Sequence, residues 1–402
     1  MSIEIVEREL SRHTIFKDEG KLSIDYVPEV LPHREEELRK LVSYFRPVVE
    51  NPTSISQRVV IVGPIGTGKT ATSKLFGRAL VERISKTKGS RFYYVHVNCH
   101  KERTIFNVAR RIACSVIPSL PSRGFSAPDY LNAVLAHVQG ENAHLVATLD
   151  EVDFLIVNSG RDSLYQLFRV ADDELYNRAC ISIILISRTL NFLELLEDDV
   201  STILQRKVVK FNRYDAKQLY DILMHRARLA LHDGTYSPDI IEMIADIAEE
   251  KGDARYAIEI LWRAAKHADI ESSQYITPEH VRRAKSEVSP TYSKESLLYL
   301  SLHELMFLLA VVHALKGSET PYVPMGDAEK SYRSLCERFS EAPRRHTQVW
   351  EYMKRLEMLG LLTAKLSTKG RRGRTTLIGL PDVPLASLER DILELLGLVK
   401  ER

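Results

Sequence analysis

Eight consecutive residues, Gly63-Pro64-Ile65-Gly66-Thr67-Gly68-Lys69-Thr70, have the types and spacing of a phosphate-binding loop. Glycines at such positions let the chain turn tightly enough for backbone N–H groups to face phosphate oxygens. Lys69 would then reach the β- and γ-phosphates, and the Thr70 hydroxyl would ligate Mg2+. A glycine-rich turn can match this pattern by chance, but here an apolar strand pattern precedes it and a helical pattern follows, as a working loop requires. Downstream, the apolar run Leu145–Leu149 ends in Asp150-Glu151. Asp150 has the chemistry to hold the metal, and Glu151 to polarise an attacking water. Alone, an Asp-Glu pair is a common helix start; an upstream phosphate loop makes the metal reading the better one. The expected ligand is ATP or ADP with Mg2+.

Elements must position these groups. Val59–Val62, Phe92–Asn98, Leu145–Leu149, Ile181–Ile186 and Val208–Phe211 read as buried parallel strands, and Lys69–Ser85 and Ile105–Val116 read as helices between them. That alternation predicts an α/β domain, a parallel sheet with helices on both faces and its ligand at the carboxyl ends of the strands. From Asp215 to Val288 the pattern is helical, with apolar spacing in Leu219–Leu231, Ile240–Ala248 and Ala254–Ala268. The predicted domains are residues 1–213 (sheet domain with an N-terminal arm), 214–289 (helical lid) and 290–402, with a hinge at Ser289-Pro290. Two or three domains suit 402 residues, 44% of them hydrophobic and 27% charged. The mixed-charge N-terminus lacks a signal-peptide core, no apolar run reaches the ~20 residues of a membrane span, and the four cysteines show no paired spacing. A cytoplasmic protein without a zinc or disulfide framework is expected.

The whole chain carries a net charge of only +2, yet Ala342–Arg374 holds nine Lys/Arg against two Glu. This asymmetry suggests a polyanion partner. Leu302–Ala314, Ala328–Phe339 and a helix running from Arg344-Arg345-His346-Thr347-Gln348 to Leu359 are followed by two short strands, Leu361–Lys365 and Thr375–Gly379. That is a C-terminal winged helix. Arg344, Arg345, Thr347 and Gln348 would open its recognition helix, while Val349, Trp350, Met353, Leu356 and Leu359 pack its core. Between the strands, Lys369, Arg371, Arg372 and Arg374 would line a hairpin tip suited to phosphates or the minor groove. A solvated basic hairpin is the plainer reading, outweighed once the basic helix start is considered with it.

Several separated motifs, spanning about Phe16 to Leu380, resemble the archaeal origin recognition complex/cell division control protein six family of AAA+ initiators. The segment Tyr26-Val27-Pro28-Glu29-Val30-Leu31-Pro32-His33-Arg34-Glu35 looks like the family's stretch lining the adenine pocket, which implies nucleotide contacts for Val27, Pro28, His33 and Arg34. Gly252-Asp253-Ala254-Arg255 resembles sensor II, with Arg255 over the γ-phosphate. Phe211–Ala216 resembles the segment opening the lid, and the resemblance puts Tyr214 and Arg226 beside the nucleotide. Pro121–Ser126 stands where the family has a DNA-touching helical insertion; Arg123 would meet phosphate and Phe125 the minor groove, although an exposed loop with one buried Phe fits the residues equally well. Two departures stand out. Ser187-Arg188 replaces the usual Ser-Asn of sensor I, and Asp198-Asp199-Val200 replaces a Pro-Arg-Val that carries a trans-acting arginine; Arg206 lies too far along to substitute. An arginine finger is worth about a thousandfold or more in phosphoryl transfer, so slow hydrolysis is expected.

The resemblance implies an ATP-binding AAA+ replication initiator, a weak ATPase, that grips duplex origin DNA and acts with a replicative helicase and paralogous initiators, cytoplasmic at the nucleoid and away from membranes. Two other roles remain open: a nucleotide-locked regulator that represses origins, and a signalling ATPase whose winged helix docks protein.

Overall fold

The computed structural model describes residues 14–400 apart from 54, 89–90, 122, 161–163, 166, 169–178, 197, 289–296, 317, 319, 321, 367–375 and 381–384. It divides into two compact units, Met1–Val288 and Ser289–Arg402.

The first unit is built on a parallel sheet of β1 (Arg58–Val62), β2 (Arg91–Asn98), β3 (Ala143–Asp150), β4 (Ile181–Ser187) and β5 (Val208–Lys210), in the order β2-β3-β4-β1-β5. Every residue of β3 and β4 is buried, as strands covered on both faces must be. The period of two sends alternate side chains to opposite cores. Val60, Val62, Leu145, Ala147, Leu149, Ile183 and Leu185 join helices Ile105–Val116 and Ala127–Gly140 on one side. Val59, Ile61, Val146, Ile184 and Ile186 join Phe45 and Phe76, from helices Glu35–Glu50 and Lys69–Ala79, on the other.

The helix expected over Lys69–Ser85 changes register partway: it is α-helical to Ala79, then π-helical over Leu80–Ile84. The Ser85 hydroxyl donates to the Leu80 carbonyl five residues earlier (3.1 Å) and accepts from Phe92 N–H (3.2 Å), which favours the wider turn.

Helices Ala216–Ala230, Pro238–Glu249, Ala254–Ile270 and Pro278–Glu287 form a second core in the same unit. Each starts at a side-chain cap (Asp215, Ser237, Asp253, Thr277), which satisfies N–H groups that the first turn cannot. The N-terminal arm packs here: Ile15, Phe16 and Leu22 are buried among these helices, and Lys17 N–H donates to the Ala230 carbonyl at 2.7 Å.

In the second unit, helix Leu302–Lys316 is buried on nearly all sides, as its unbroken run of apolar residues requires. Around it lie helices Met325–Arg338, His346–Met358 and Leu385–Lys400 and an antiparallel sheet in the order β6 (Val323–Pro324), β8 (Thr376–Gly379), β7 (Thr363–Leu366). This is a winged-helix arrangement. Val349, Met353, Leu356 and Leu359 fill its core as expected, and Trp350 is half-buried. Strand β6 and the C-terminal helix were not anticipated from the sequence. The hinge at Ser289-Pro290 lies outside the described residues.

Candidate nucleotide site and candidate nucleic-acid interface

Parallel pairing aligns the carboxyl ends of the strands: Asn98 opposite Asp150, and Val62 opposite Ser187. All loops leaving that edge therefore meet at one place. The loop from Gly63 leaves β1 tightly against β5, and a Cβ at Gly63 would overlap the Phe211 carbonyl. At Gly66, with φ of +72°, a Cβ would overlap the Asp253 carboxylate. That contact is where the lid docks: Asp253 caps helix Ala254–Ile270, and Ala254 N–H donates to the Gly66 carbonyl at 3.1 Å.

A cavity of about 370 Å³ opens over this edge. Gly66, Gly68, Lys69 and Thr70 form its floor, Asp150, Glu151, Ser187 and Arg188 one side, and Tyr214, Arg226 and Arg255 the lid side; Tyr26, Val27 and Pro28 close the end. A site of this size takes a nucleotide.

Lys69 is nearly buried and donates to the Gly63 and Pro64 carbonyls at 2.7 and 2.6 Å. Burial lowers its pKa to about 8, and the Arg255 and Arg188 charges add to the depression against the pull of Asp150. The Thr70 hydroxyl donates to Asp150 Oδ2 at 2.7 Å, and His96 Nε2 lies 3.1 Å from the same oxygen. Burial pushes the Asp150 carboxyl up, but the His96 and Thr70 contacts outweigh it and hold the group below its ordinary value. It is therefore ionised, as a metal ligand must be. No group of three or more His, Cys, Asp or Glu able to hold a metal occurs among the described residues. One carboxylate and one hydroxyl suit Mg2+, which retains waters and takes substrate phosphates as its other ligands.

Glu151 sits in the left-handed region (φ 56°, ψ 48°), rare for a side-chain-bearing residue. Such strain costs about 1–3 kcal/mol and persists only where surrounding structure enforces it. One Glu151 oxygen accepts from Asn98 Nδ2 at 3.4 Å, and the other lies 3.8 Å from Arg188 Nη2.

His33 and Arg34 are not on the cavity wall. His33 Nε2 is 2.7 Å from Asp221 on the lid. Arg34, buried and stacked 3.8 Å from the Tyr214 ring centroid, donates to the carbonyls of Thr67 (2.8 Å) and Asn212 (2.9 Å) and to Glu37 (2.9 Å). Its guanidinium fastens the phosphate loop to the hinge from behind. Arg226 donates to the carbonyls of Lys21 (2.8 Å) and Tyr26 (2.9 Å), tying the N-terminal arm to the cavity's edge. Gly63, Pro64 and Thr67 shape the loop from outside the wall; Thr67 is fully buried, its hydroxyl on the Pro64 carbonyl at 2.9 Å.

Sequence reading passed over His96 and Asn98. Both alternate along a strand as ordinary members of the pattern; the available signal was that they are polar at the carboxyl end of a parallel strand, where ligands bind. The side chains of residues 198–200 lie outside the described residues, and Arg206 is exposed.

In the sheet domain, Arg123 is exposed, while the Phe125 ring packs 5.3 Å from that of Tyr130 at the margin of the core. In the second unit, Arg344 to Gln348 are all exposed at the start of helix His346–Met358. Polar ties fix that start: Tyr332 Oη accepts from Arg344 N–H (3.3 Å) and meets His303 Nδ1 (2.8 Å), while His346 Nδ1 lies 2.6 Å from Glu329. Gly360, at φ 70°, ends the helix. Lys369, Arg371, Arg372 and Arg374 lie outside the described residues. No helix among the described residues is long and apolar enough to cross a membrane, and no disulfide joins the described cysteines.

Three family models match the chain: an AAA domain over residues 56–196, a Cdc6 AAA+ ATPase-type lid domain over 220–286, and a CDC6 C-terminal winged helix domain over 295–389. It is 35% identical over 397 residues to ORC1-type DNA replication protein 2 of Sulfolobus acidocaldarius, covering 97% of this chain and 95% of the relative. The namesake protein of Saccharolobus solfataricus is 36% identical over 372 residues, 91% of this chain and 90% of its own. Among solved structures, the Aeropyrum pernix ORC1 protein in complex with DNA superposes with a TM-score of 0.73 at 29% identity, covering 97% of this chain and all of that one. The Aeropyrum pernix ORC2 protein, solved as ADPNP-ADP complexes, gives 0.70 at 26% identity, covering 96% and 100%. With sheet, lid and winged helix matched in order and along almost its full length, the chain belongs to the archaeal Orc1/Cdc6 family of AAA+ DNA replication proteins.

Proposed function

We propose that this protein is an ATP-binding replication initiator that recognises duplex origin DNA, helps recruit the replicative helicase alongside paralogous initiators, and hydrolyses ATP slowly at the nucleoid. The observation that carries the reading is the convergence of Lys69, Thr70, Asp150, Glu151, Tyr214 and Arg255 on one cavity beneath a lid. Gly63, Pro64, Gly66, Thr67 and Gly68 would shape the cradle, Lys69 and Arg255 would neutralise phosphate charge, and Val27, Pro28, Tyr214 and Arg226 would border base and ribose. Thr70 and Asp150 would hold Mg2+, which supplies charge stabilisation between the phosphates. In hydrolysis, a water oxygen bonds to the γ-phosphorus while the bond to the β,γ-bridging oxygen breaks, its electron pair leaving on ADP; Glu151 receives the water's proton.

For DNA, Arg344, Arg345, Thr347 and Gln348, exposed at the start of helix His346–Met358, would meet base edges, and the cations Lys369, Arg371, Arg372 and Arg374 would meet phosphates. Arg123 offers a further phosphate contact from the sheet domain. The partly packed Phe125 would reach the minor groove only by leaving Tyr130. The test is nuclease footprinting of candidate origin duplexes with ATP, with ADP and without nucleotide. A protected site whose extent depends on the nucleotide supports the reading, and no protection under any condition refutes it.

A further inference from the structure

Glu151 has two carboxylate oxygens, and both are engaged. Asn98 Nδ2 donates to one at 3.4 Å; the other faces Arg188 Nη2 at 3.8 Å. Both partners come from strand ends held in register beside β3, and the left-handed backbone of Glu151 fixes where its side chain starts. Arg188 follows Ser187, whose Oγ lies 2.9 Å from Asp153 Oδ1 and 2.6 Å from the Thr189 carbonyl, contacts that anchor the strand end from which Arg188 departs. Side-chain exposure of 24% for Arg188 and 32% for Glu151 leaves the pair half-shielded from water.

We infer that Arg188 is a positioning residue that restrains Glu151, so that this chain keeps ATP by means of its own strand end. The inference rests on the proposed hydrolytic reading of the cavity. A base serves an attacking water through a free carboxylate oxygen, and here a guanidinium stands at the oxygen that Asn98 leaves open. Arginine has five donors and no acceptor, so Arg188 can neither take the water's proton nor align the water by accepting from it. Slow turnover would then be an active restraint as well as the absence of helpful groups, and removing the arginine should speed the reaction.

The test is single-turnover ATP hydrolysis by the full-length protein with Mg2+, comparing wild type with Arg188→Ala. An exposed to half-buried ion pair is worth up to about 1 kcal/mol, so the expected rise is about fivefold. ATP affinity, measured by titration calorimetry, should change less than about threefold. The same substitution placed on Glu151→Gln should give no rise, because the restraint acts only through the carboxylate. An unchanged or slower Arg188→Ala rate overturns the inference and marks Arg188 as idle or as a phosphate contact. A rise that persists with Glu151→Gln overturns it equally. Failure of wild type to bind ATP is a separate result: it removes the nucleotide reading itself. Thermal denaturation of each variant identifies any that misfolds, and Arg188→Gln then repeats the measurement with more of the side-chain packing retained.

Discussion

Individual side chains here divide the labour between touching the cavity and holding it in shape, and the division differs from what their types suggest. Arg34 and Lys69 are both buried cations near the same loop, yet Lys69 lines the cavity and Arg34 stands behind it. Sequence types alone could not separate them, because a guanidinium that binds phosphate and one that binds carbonyls look alike until the loop's path is known. Arg34→Ala should strand the Thr67 and Asn212 carbonyls and the Glu37 carboxylate. A loss of about 3 kcal/mol in urea-measured stability is expected, within the range for breaking a buried ion-pair network; a loss under 1 kcal/mol would show that the contacts are incidental. Glu151→Gln, by contrast, keeps the shape but exchanges one acceptor oxygen for an amide donor and cannot take up the water's proton. It should lower hydrolysis about a hundredfold with ATP affinity retained, and full activity in that variant would remove Glu151 from the role of base.

Strands and helices set where those side chains stand. The five strands were legible because a parallel sheet covered on both faces demands apolar runs, and the loop after β1 was legible because glycines there answer a steric need. The π-turn at Leu80–Ile84 was hidden, since it depends on Ser85 reaching two backbone groups that only the fold brings near. Strand β6, two residues long, has no period to read. The sheet also carries a pH-dependent element. His144 in β3 is fully buried, with Nδ1 at the Pro52 carbonyl and Nε2 2.7 Å from the Ser182 hydroxyl. Burial lowers its pKa to about 4 from 6.5. The unfolded chain therefore binds a proton that the folded one refuses, and stability must fall as pH drops from 6.5 towards 4, by about 3 kcal/mol from this group. Denaturant melts across that range should show the decline, flattened in His144→Phe; equal slopes for both proteins would exclude His144 as its source.

Over the whole molecule, the first unit carries the nucleotide cavity and the second the basic helix start, with the cationic segment Lys369–Arg374 beyond the described residues. These demands are physically distinct: the cavity requires a few groups within ångströms, whereas duplex affinity sums many screened charges. Replacing Arg371 and Arg372 with Ala should weaken binding to every duplex and lower the slope of log affinity against log salt by about two, one for each phosphate left unneutralised. Arg345→Ala should instead relax sequence preference; a uniform loss would move base reading away from that helix.

The cavity's role as a nucleotide site is open to a simple thermal measurement. ATP with Mg2+ at a hundred times its Kd should stabilise the wild type by about 2.7 kcal/mol, seen as a raised Tm. Lys69→Ala, folded and measured alongside, should show no such rise. Equal stabilisation of both proteins, or of neither, would contradict nucleotide binding through the loop that begins at Gly63.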